Sequence, residues 1–184
     1  MNQQEGRSAG RWFFSVLEPL VFYLILIILC FTFLLRTTVV VGASMEPTLH
    51  DGDVLVISRV GYQPDYGDMV VITKPNYYDE VLLKGIIAKG GDTIDIQPET
   101  GQVLLNGHAL FEPYVLEPTY LVDDVTFPVT VPEGMLFVMG DNRNRSSDSR
   151  STKVGMIEDE YVLGRVILRL LPLGDMSWFL GDNY

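Results

Sequence analysis

From Leu20 to Leu35 the sequence runs LVFYLILIILCFTFLL, without a charge, a proline or a glycine. That stretch is about 16 residues, and with Phe13 to Pro19 about 23, against the ~20 apolar residues that span hydrocarbon as a helix. Glu18 and Pro19 fall near the start of the run, where a helix tolerates proline best. Trp12 and Arg36 bracket it with the residue types that favour a membrane–water interface. A cleavable leader has a shorter apolar core, roughly 7–15 residues, and a small-x-small exit. This run instead leaves through Leu-Leu-Arg-Thr-Thr-Val, which favours a permanent anchor. A soluble core helix is the other alternative, and a run apolar on every face argues against it. Arg7 and Arg11 precede the run and Arg36 follows it, so the positive-inside bias points to an N-terminus in the cytoplasm. The expected organisation is a cytoplasmic tail over 1–12, a single transmembrane helix over 13–36, and an extracytoplasmic β-rich domain over 37–184.

After Val41 the pattern changes to short β-branched runs punctuated by Gly, Asp, Asn and Pro. Strands are expected at Val54–Ile57, Met69–Ile72, Val81–Ile87, Thr93–Ile96, Val103–Leu105, Leu136–Met139 and Arg165–Leu170. Asn106-Gly107 predicts a two-residue hairpin between Val103–Leu105 and His108–Phe111. No helical periodicity is sustained beyond the anchor. The fold class read from this pattern is mostly β, with an all-β barrel or sandwich carrying the chemistry. The proline- and acid-rich segment Glu112–Pro132 reads as a surface excursion. The apolar end, Leu171–Phe179, suits packing against the body or the membrane.

The 184 residues include 24 acids and 13 bases, a formal net charge of −11. That balance argues against nucleic acid as a partner, since phosphate binding needs a basic footprint. Cys30 is the one cysteine and lies in the apolar run, so no disulfide framework is possible within the chain. With only His50 and His108 as histidines, the ligand set for a metal is poor. No cofactor and no metal are expected.

Three stretches could carry chemistry. One is Gly42-Ala43-Ser44-Met45-Glu46-Pro47-Thr48-Leu49, directly after the anchor. Another is Leu83-Lys84-Gly85-Ile86-Ile87-Ala88-Lys89-Gly90-Gly91-Asp92. The third is Gly140-Asp141-Asn142-Arg143-Asn144-Arg145-Ser146-Ser147-Asp148-Ser149-Arg150. Singly, each has an ordinary explanation: a turn serine, a lysine ending a strand with its head in solvent, and a solvated loop of Asp–Arg pairs. Asn144-Arg145-Ser146 also matches a glycosylation sequon, a pattern short enough to arise by chance.

Together, in this order, the three stretches resemble the S26 family of type I signal peptidases. Ser44-Met45-x-Pro47-Thr48-Leu49 just after a membrane span matches the family's nucleophile box, and the Gly140–Arg150 stretch carries every fixed position of its most specific box. The resemblance implies Ser44 as nucleophile and Lys84, at the head of a strand leading to the Gly91-Asp92 turn, as general base. It implies that Ser146 hydrogen-bonds and orients the lysine, and that Asp141, Asp148 and Arg150 brace the site. The implied activity is a membrane-bound serine endopeptidase that removes signal peptides from secretory precursors at small-x-small sites. Its implied partners are those precursors and membrane lipid, and its implied location is the cytoplasmic membrane.

The chain departs from the family's pattern in places. Gly85 follows the lysine where an arginine is frequent, and Ala88-Lys89-Gly90-Gly91-Asp92 replaces a Gly-x-Pro-Gly-Asp turn. Gly42 stands where some members have a serine that helps the oxyanion, leaving backbone donors, including the Ser44 N–H, for that task. A serine hydroxyl needs a neighbouring base, and a lysine serves only when neutral, which burial favours. The apolar neighbours Leu82, Leu83, Ile86 and Ile87 suit such burial. A triad through His50 is possible but weakly supported by spacing. A self-cleaving Ser–Lys repressor-type protease, and a tethered binding domain with a decayed site, are the alternative readings.

Overall fold

The computed structural model of the protein describes residues 3–74 and 78–179. Two compact units are formed, Met1–Arg36 and Thr37–Tyr184. The first is a single helix, α1 (Gln3–Phe33), 31 residues long, with Pro19 inside it. From Phe13 to Leu29 its apolar side chains stand exposed, save the half-buried Leu17, and from Pro19 to Leu29 no charge interrupts them. Among the described residues no helix is long and apolar enough to cross a membrane. The side chains of Arg7, Arg11, Trp12 and Cys30, on which parts of the anchor expectation rest, lie outside the described ones.

The second unit is built from β1 (Arg36–Val39), β2 (Val54–Ser58), β3 (Met69–Lys74), β4 (Tyr78–Lys89), β5 (Thr93–Gln97), β6 (Gln102–Leu105) and β7 (His108–Ala109), followed by β8 (Val129–Thr130), β9 (Met135–Met139), β10 (Ile157–Glu158), β11 (Val162–Leu171) and β12 (Ser177–Trp178). A large sheet has the order β1-β2-β11-β3-β4-β9-β10, with β12 paired to β11, and a small one the order β7-β6-β5-β8. The strands expected from β-branched runs all form, and the regular short helices among them are 3-10 turns. The long strands carry Val, Ile and Leu in both directions because both faces are covered. Val70, Ile72, Ile86 and Val138 fill one cluster, while Ile87, Ile94, Val103 and Phe137 fill another. At Asn106-Gly107 both residues take positive φ, +52° and +80°, as a tight hairpin demands, and Leu105 pairs with His108.

Three expectations change in detail. The strand after that hairpin stops at Ala109 instead of Phe111, and Phe111 is 87% exposed. Lys84 is not at a strand head: β4 starts at Tyr78, and Lys84 pairs with Val70 in its middle. Glu112–Pro132 is largely exposed but not a free excursion. Thr119 and Val131 are buried, and Val129–Thr130 adds a strand to β5. The end of the chain's described part folds back, with β12 on β11 and Phe179 against the cluster that holds Met45 and Leu49.

Candidate active site

The segment after β1 turns sharply, and two of its side chains, Met45 and Leu49, are buried to 1% and 0% exposure in a cluster with Leu55, Met69 and Val71. This apolar pair fixes the turn from below and leaves Ser44, between them and β1, at the rim of a cleft. The cleft has a volume of about 400 Å³ and is lined by Thr38–Val41 on one side and Val81–Lys84 on the other, with Met45 and Val71 at its base. Gly42 holds φ at +83°, the left-handed region in which glycine is unstrained, and its N–H donates to Asp51 Oδ1 at 2.7 Å.

Lys84 projects from β4 to this rim, and its Nζ donates to Ser44 Oγ at 2.8 Å. Lys84 is only 3% exposed. Burial disfavours its ammonium form and pushes its pKa down to about 8, while Asp148 and Asp141 pull the other way. The two residues are 40 apart in sequence and meet because β3 pairs Val70 with Lys84 while Met69 and Val71 pack under Met45.

The loop after β9 closes the site from the third side. Asp148 and Arg150, both fully buried, face each other through two 2.8 Å bonds, Nε to Oδ1 and Nη2 to Oδ2. Asp148 Oδ2 also accepts from the Gly140 N–H at 3.0 Å, and Arg150 Nη1 donates to the Leu121 carbonyl at 2.7 Å. A Cβ on Gly140 would collide with Ser146 Oγ and with the Ser44 carbonyl oxygen, so only glycine lets this loop approach the Ser44 turn. Asp141 accepts a hydrogen bond from Thr48 Oγ1, a residue of the segment that carries Ser44. Burial drives the Asp141 pKa up to about 7, against the pull of Thr48, Arg143 and Lys84.

The structure therefore brings Ser44, Lys84, Asp141, Ser146, Asp148 and Arg150 into one region. Ser146 Oγ is buried there but makes no hydrogen bond among the described residues, so the contact expected between it and Lys84 is not formed. His50 and His108 are exposed, and neither imidazole joins Ser44. Sequence reasoning missed three residues. Asn142 bonds to the Ser44 turn, its N–H to the Ser44 carbonyl and its Nδ2 to the Ala43 carbonyl, each at 3.0 Å. Arg143 is fully buried and held by Glu112 through bonds of 2.9 and 2.6 Å, and by Thr119 at 3.1 Å. Its Nε returns to the Gly140 carbonyl at 3.0 Å. Asn142 and Arg143 stood in the third stretch and could have been found there, whereas nothing local marks Glu112. Among the described residues no cluster of His, Cys, Asp and Glu side chains has the makings of a metal site.

Residues 13–171 match the profile of the family described as signal peptidase, peptidase S26. The chain is similar to a signal peptidase I of Bacillus licheniformis, with 32% identity over 96% of this chain and 98% of that protein. It is also similar to a probable signal peptidase I of a Synechocystis species, 35% identical over 81% of this chain and 78% of the other. A crystal structure of a signal peptidase I from Enterococcus faecalis is 29% identical, with a TM-score of 0.48, covering 56% of this chain and 97% of that one.

Proposed function

Because the chain belongs to the S26 signal peptidases, serine-type hydrolases that remove signal peptides from exported precursors, we propose that it does so with Ser44 as nucleophile and Lys84 as general base, anchored in a membrane by its N-terminal helix. The observation that carries the dyad is the 2.8 Å contact between Ser44 Oγ and the buried Lys84 Nζ. With Nζ neutral, the same contact runs the other way, Oγ–H donating to the nitrogen lone pair. Oγ attacks the scissile carbonyl carbon as its proton passes to Nζ. The Ser44 N–H, which has no acceptor among the described residues, faces the developing oxyanion, an interaction worth about 3–4 kcal/mol in comparable sites. The intermediate collapses with cleavage of the C–N bond, and Nζ gives its proton to the departing amine. Water then attacks the ester, yields its proton to Nζ, and Ser44 recovers a proton as the leader's carboxylate leaves.

Substrate would lie in the cleft. On the side of β4 where β9 pairs, the pairing begins only at Gly85, so Val81–Lys84 keep backbone groups open there. An extended peptide can add to such an edge, while shallow apolar walls from Val40, Met45, Val71 and Leu83 favour small side chains. Asp141, Asp148, Arg150 and Ser146 act as the frame that holds the lysine and the nucleophile turn together.

The proposed arrangement is a tail over 1–12, a single-pass anchor over 13–36 and a peptidase domain over 37–184 outside the cytoplasmic membrane. A helix exposing Phe, Leu and Ile on every side supports it, because such a surface is stable only in lipid or in a protein core. The test is cleavage of a precursor bearing an Ala-x-Ala site by the detergent-solubilised wild type, Ser44→Ala and Lys84→Ala. Cleavage by wild type alone, after the small-x-small site, is expected. Activity surviving in Lys84→Ala would move the base elsewhere.

A further inference from the structure

Three peptide groups around Ser44 are tied, each differently: one before it, the one that enters it and the one that leaves it. The Gly42 N–H is taken by Asp51 Oδ1 at 2.7 Å. The Ala43 carbonyl accepts from Asn142 Nδ2 at 3.0 Å and, more weakly, from the Glu46 N–H at 3.3 Å. The Ser44 carbonyl accepts from the Asn142 backbone N–H at 3.0 Å. One residue thus grips both carbonyls that flank Ser44, and its side chain is 1% exposed. The Ala43–Ser44 peptide is not among the chain's cis bonds. In a planar trans peptide the C=O of one residue and the N–H of the next point in opposite directions. Fixing the Ala43 carbonyl toward Asn142 therefore fixes the Ser44 N–H away from it, toward the open cleft.

The amide's orientation is itself determined. Only the NH₂ end can face the Ala43 oxygen, since an oxygen there would meet another acceptor. Asn142 Oδ1 is buried and has no partner among the described residues. The side chain is thus held by its donor end alone, and the Ala43 carbonyl is what that donor serves.

We infer that Asn142 is a positioning residue for the oxyanion hole, which locks the Ala43–Ser44 peptide plane so that the Ser44 N–H faces the substrate. This rests on the dyad reading above, because it presumes attack by Ser44. A rotated peptide would swing the Ala43 carbonyl into the place the oxyanion must occupy, turning stabilisation into repulsion. The Asn142 side chain hydrogen-bonds the Ala43 carbonyl and not Lys84 among the described residues, so it acts on the transition state through the backbone and leaves proton transfer alone.

The experiment uses the full chain in detergent with Asn142→Ala and Asn142→Asp, the latter presenting only oxygens to the Ala43 carbonyl. Cleavage kinetics are measured beside the affinities of a peptide aldehyde ending in small-x-small and of the matching alcohol. Ser44 adds to the aldehyde carbon, its proton passing to Lys84 and then to the hemiacetal oxygen, whereas the alcohol binds without bond formation. The expected result is a kcat lower by about 100- to 1,000-fold with KM within about twofold. Aldehyde affinity should fall by a similar factor, alcohol affinity should hold, and the acid limb of the pH profile should stay in place. The aldehyde-to-alcohol ratio does not depend on how much enzyme is folded, so it reads out even for a destabilised variant. An unchanged ratio, or a shifted acid limb, would overturn the inference. A wild type that binds the aldehyde no more tightly than the alcohol, or a Ser44→Ala variant that still cleaves, would instead overturn the dyad.

Discussion

Lys84 has an ordinary pKa of 10.5 that burial lowers to about 8, and two consequences follow from that one displacement. The first is kinetic. The proposed role of general base requires a neutral Lys84, so kcat/KM should rise with pH and level off above about 8. Removing the nearby charge in Asp141→Asn should make the ammonium less favourable and move that limb to lower pH, because Asp141 raises the Lys84 pKa. A pH–rate profile of both enzymes checks the direction, and a limb moving upward would contradict it. The second is thermodynamic. Between about pH 8 and 10.5 the unfolded chain holds this proton and the folded chain does not, so this group's contribution to stability rises with pH across that window. Below pH 8 both states hold it and the fold bears the full burial penalty, roughly 3 kcal/mol for such a displacement. Lys84→Met should therefore be inactive yet more stable at pH 7 by up to about 3 kcal/mol, the gain shrinking toward pH 10; urea denaturation at both pH values measures it. Ser44 and Lys84 stood out only through the order of the three stretches and their resemblance to the family's boxes, since each alone reads as an ordinary turn serine or strand lysine. Their 2.8 Å contact depends on strand pairing that no local run encodes. The Ser146 contact was not legible either, because the approach of Gly140 to Ser44 is set by tertiary packing and leaves Ser146 Oγ without a hydrogen-bond partner among the described residues.

The strands of the domain were readable from β-branched runs and turn residues, and Asn106-Gly107 fixed a hairpin from two letters. What local pattern could not supply is how an irregular segment serves a strand far away. Glu112 follows the small sheet's β7, yet its carboxylate forks onto Arg143 in the loop after β9, 31 residues later. Thr119 and the Leu121 carbonyl join it, holding Arg143 and Arg150 respectively. The acids and prolines that made Glu112–Pro132 read as solvent-facing are in part the partners of buried arginines. Charge in a sequence does not announce whether its partner is water or another chain segment. The side chains of this pair are 1% and 10% exposed, so removing one leaves the other's charge desolvated. Glu112→Ala should cost about 3–5 kcal/mol in stability. It should also loosen Gly140, to which Arg143 Nε donates, and reduce kcat. Chemical denaturation of Glu112→Ala and of Glu112→Ala with Arg143→Met separates the two effects. The double variant should recover part of the lost stability, and a double variant losing the sum of both would refute the clamp.

For the molecule as a whole, the sequence's strongest feature and the structure's most exposed surface are the same segment. A 31-residue helix is about 46 Å long, at 1.5 Å per residue, against a hydrocarbon core near 30 Å. Its side chains from Phe13 to Leu29 include Phe22, Leu24, Ile25, Leu26, Ile27 and Ile28, each about half exposed or more. No aqueous surface of that extent is stable without a covering phase. An anchor through this segment sets a requirement on the domain's side. With Arg7 and Arg11 before it and Arg36 after it, the proposed orientation, with residues 37–184 outside the cytoplasm, rests on a charge bias of narrow margin. Two measurements on membranes from cells making the full chain test this together. Alkaline carbonate should leave the protein in the pellet, whereas a Leu24→Arg, Ile27→Arg variant should be extracted, since an arginine costs about 2.5–3.5 kcal/mol at the centre of a span. Protease added to the outer face of intact cells stripped of their wall should digest the domain and spare the tail. Because the bias is narrow, Arg7→Glu with Arg11→Glu should raise the fraction of domain protected from that protease. A domain protected in the wild type would mean that Arg36, not the pair before the span, sets the orientation, and that the site faces away from the exported precursors it is proposed to cut.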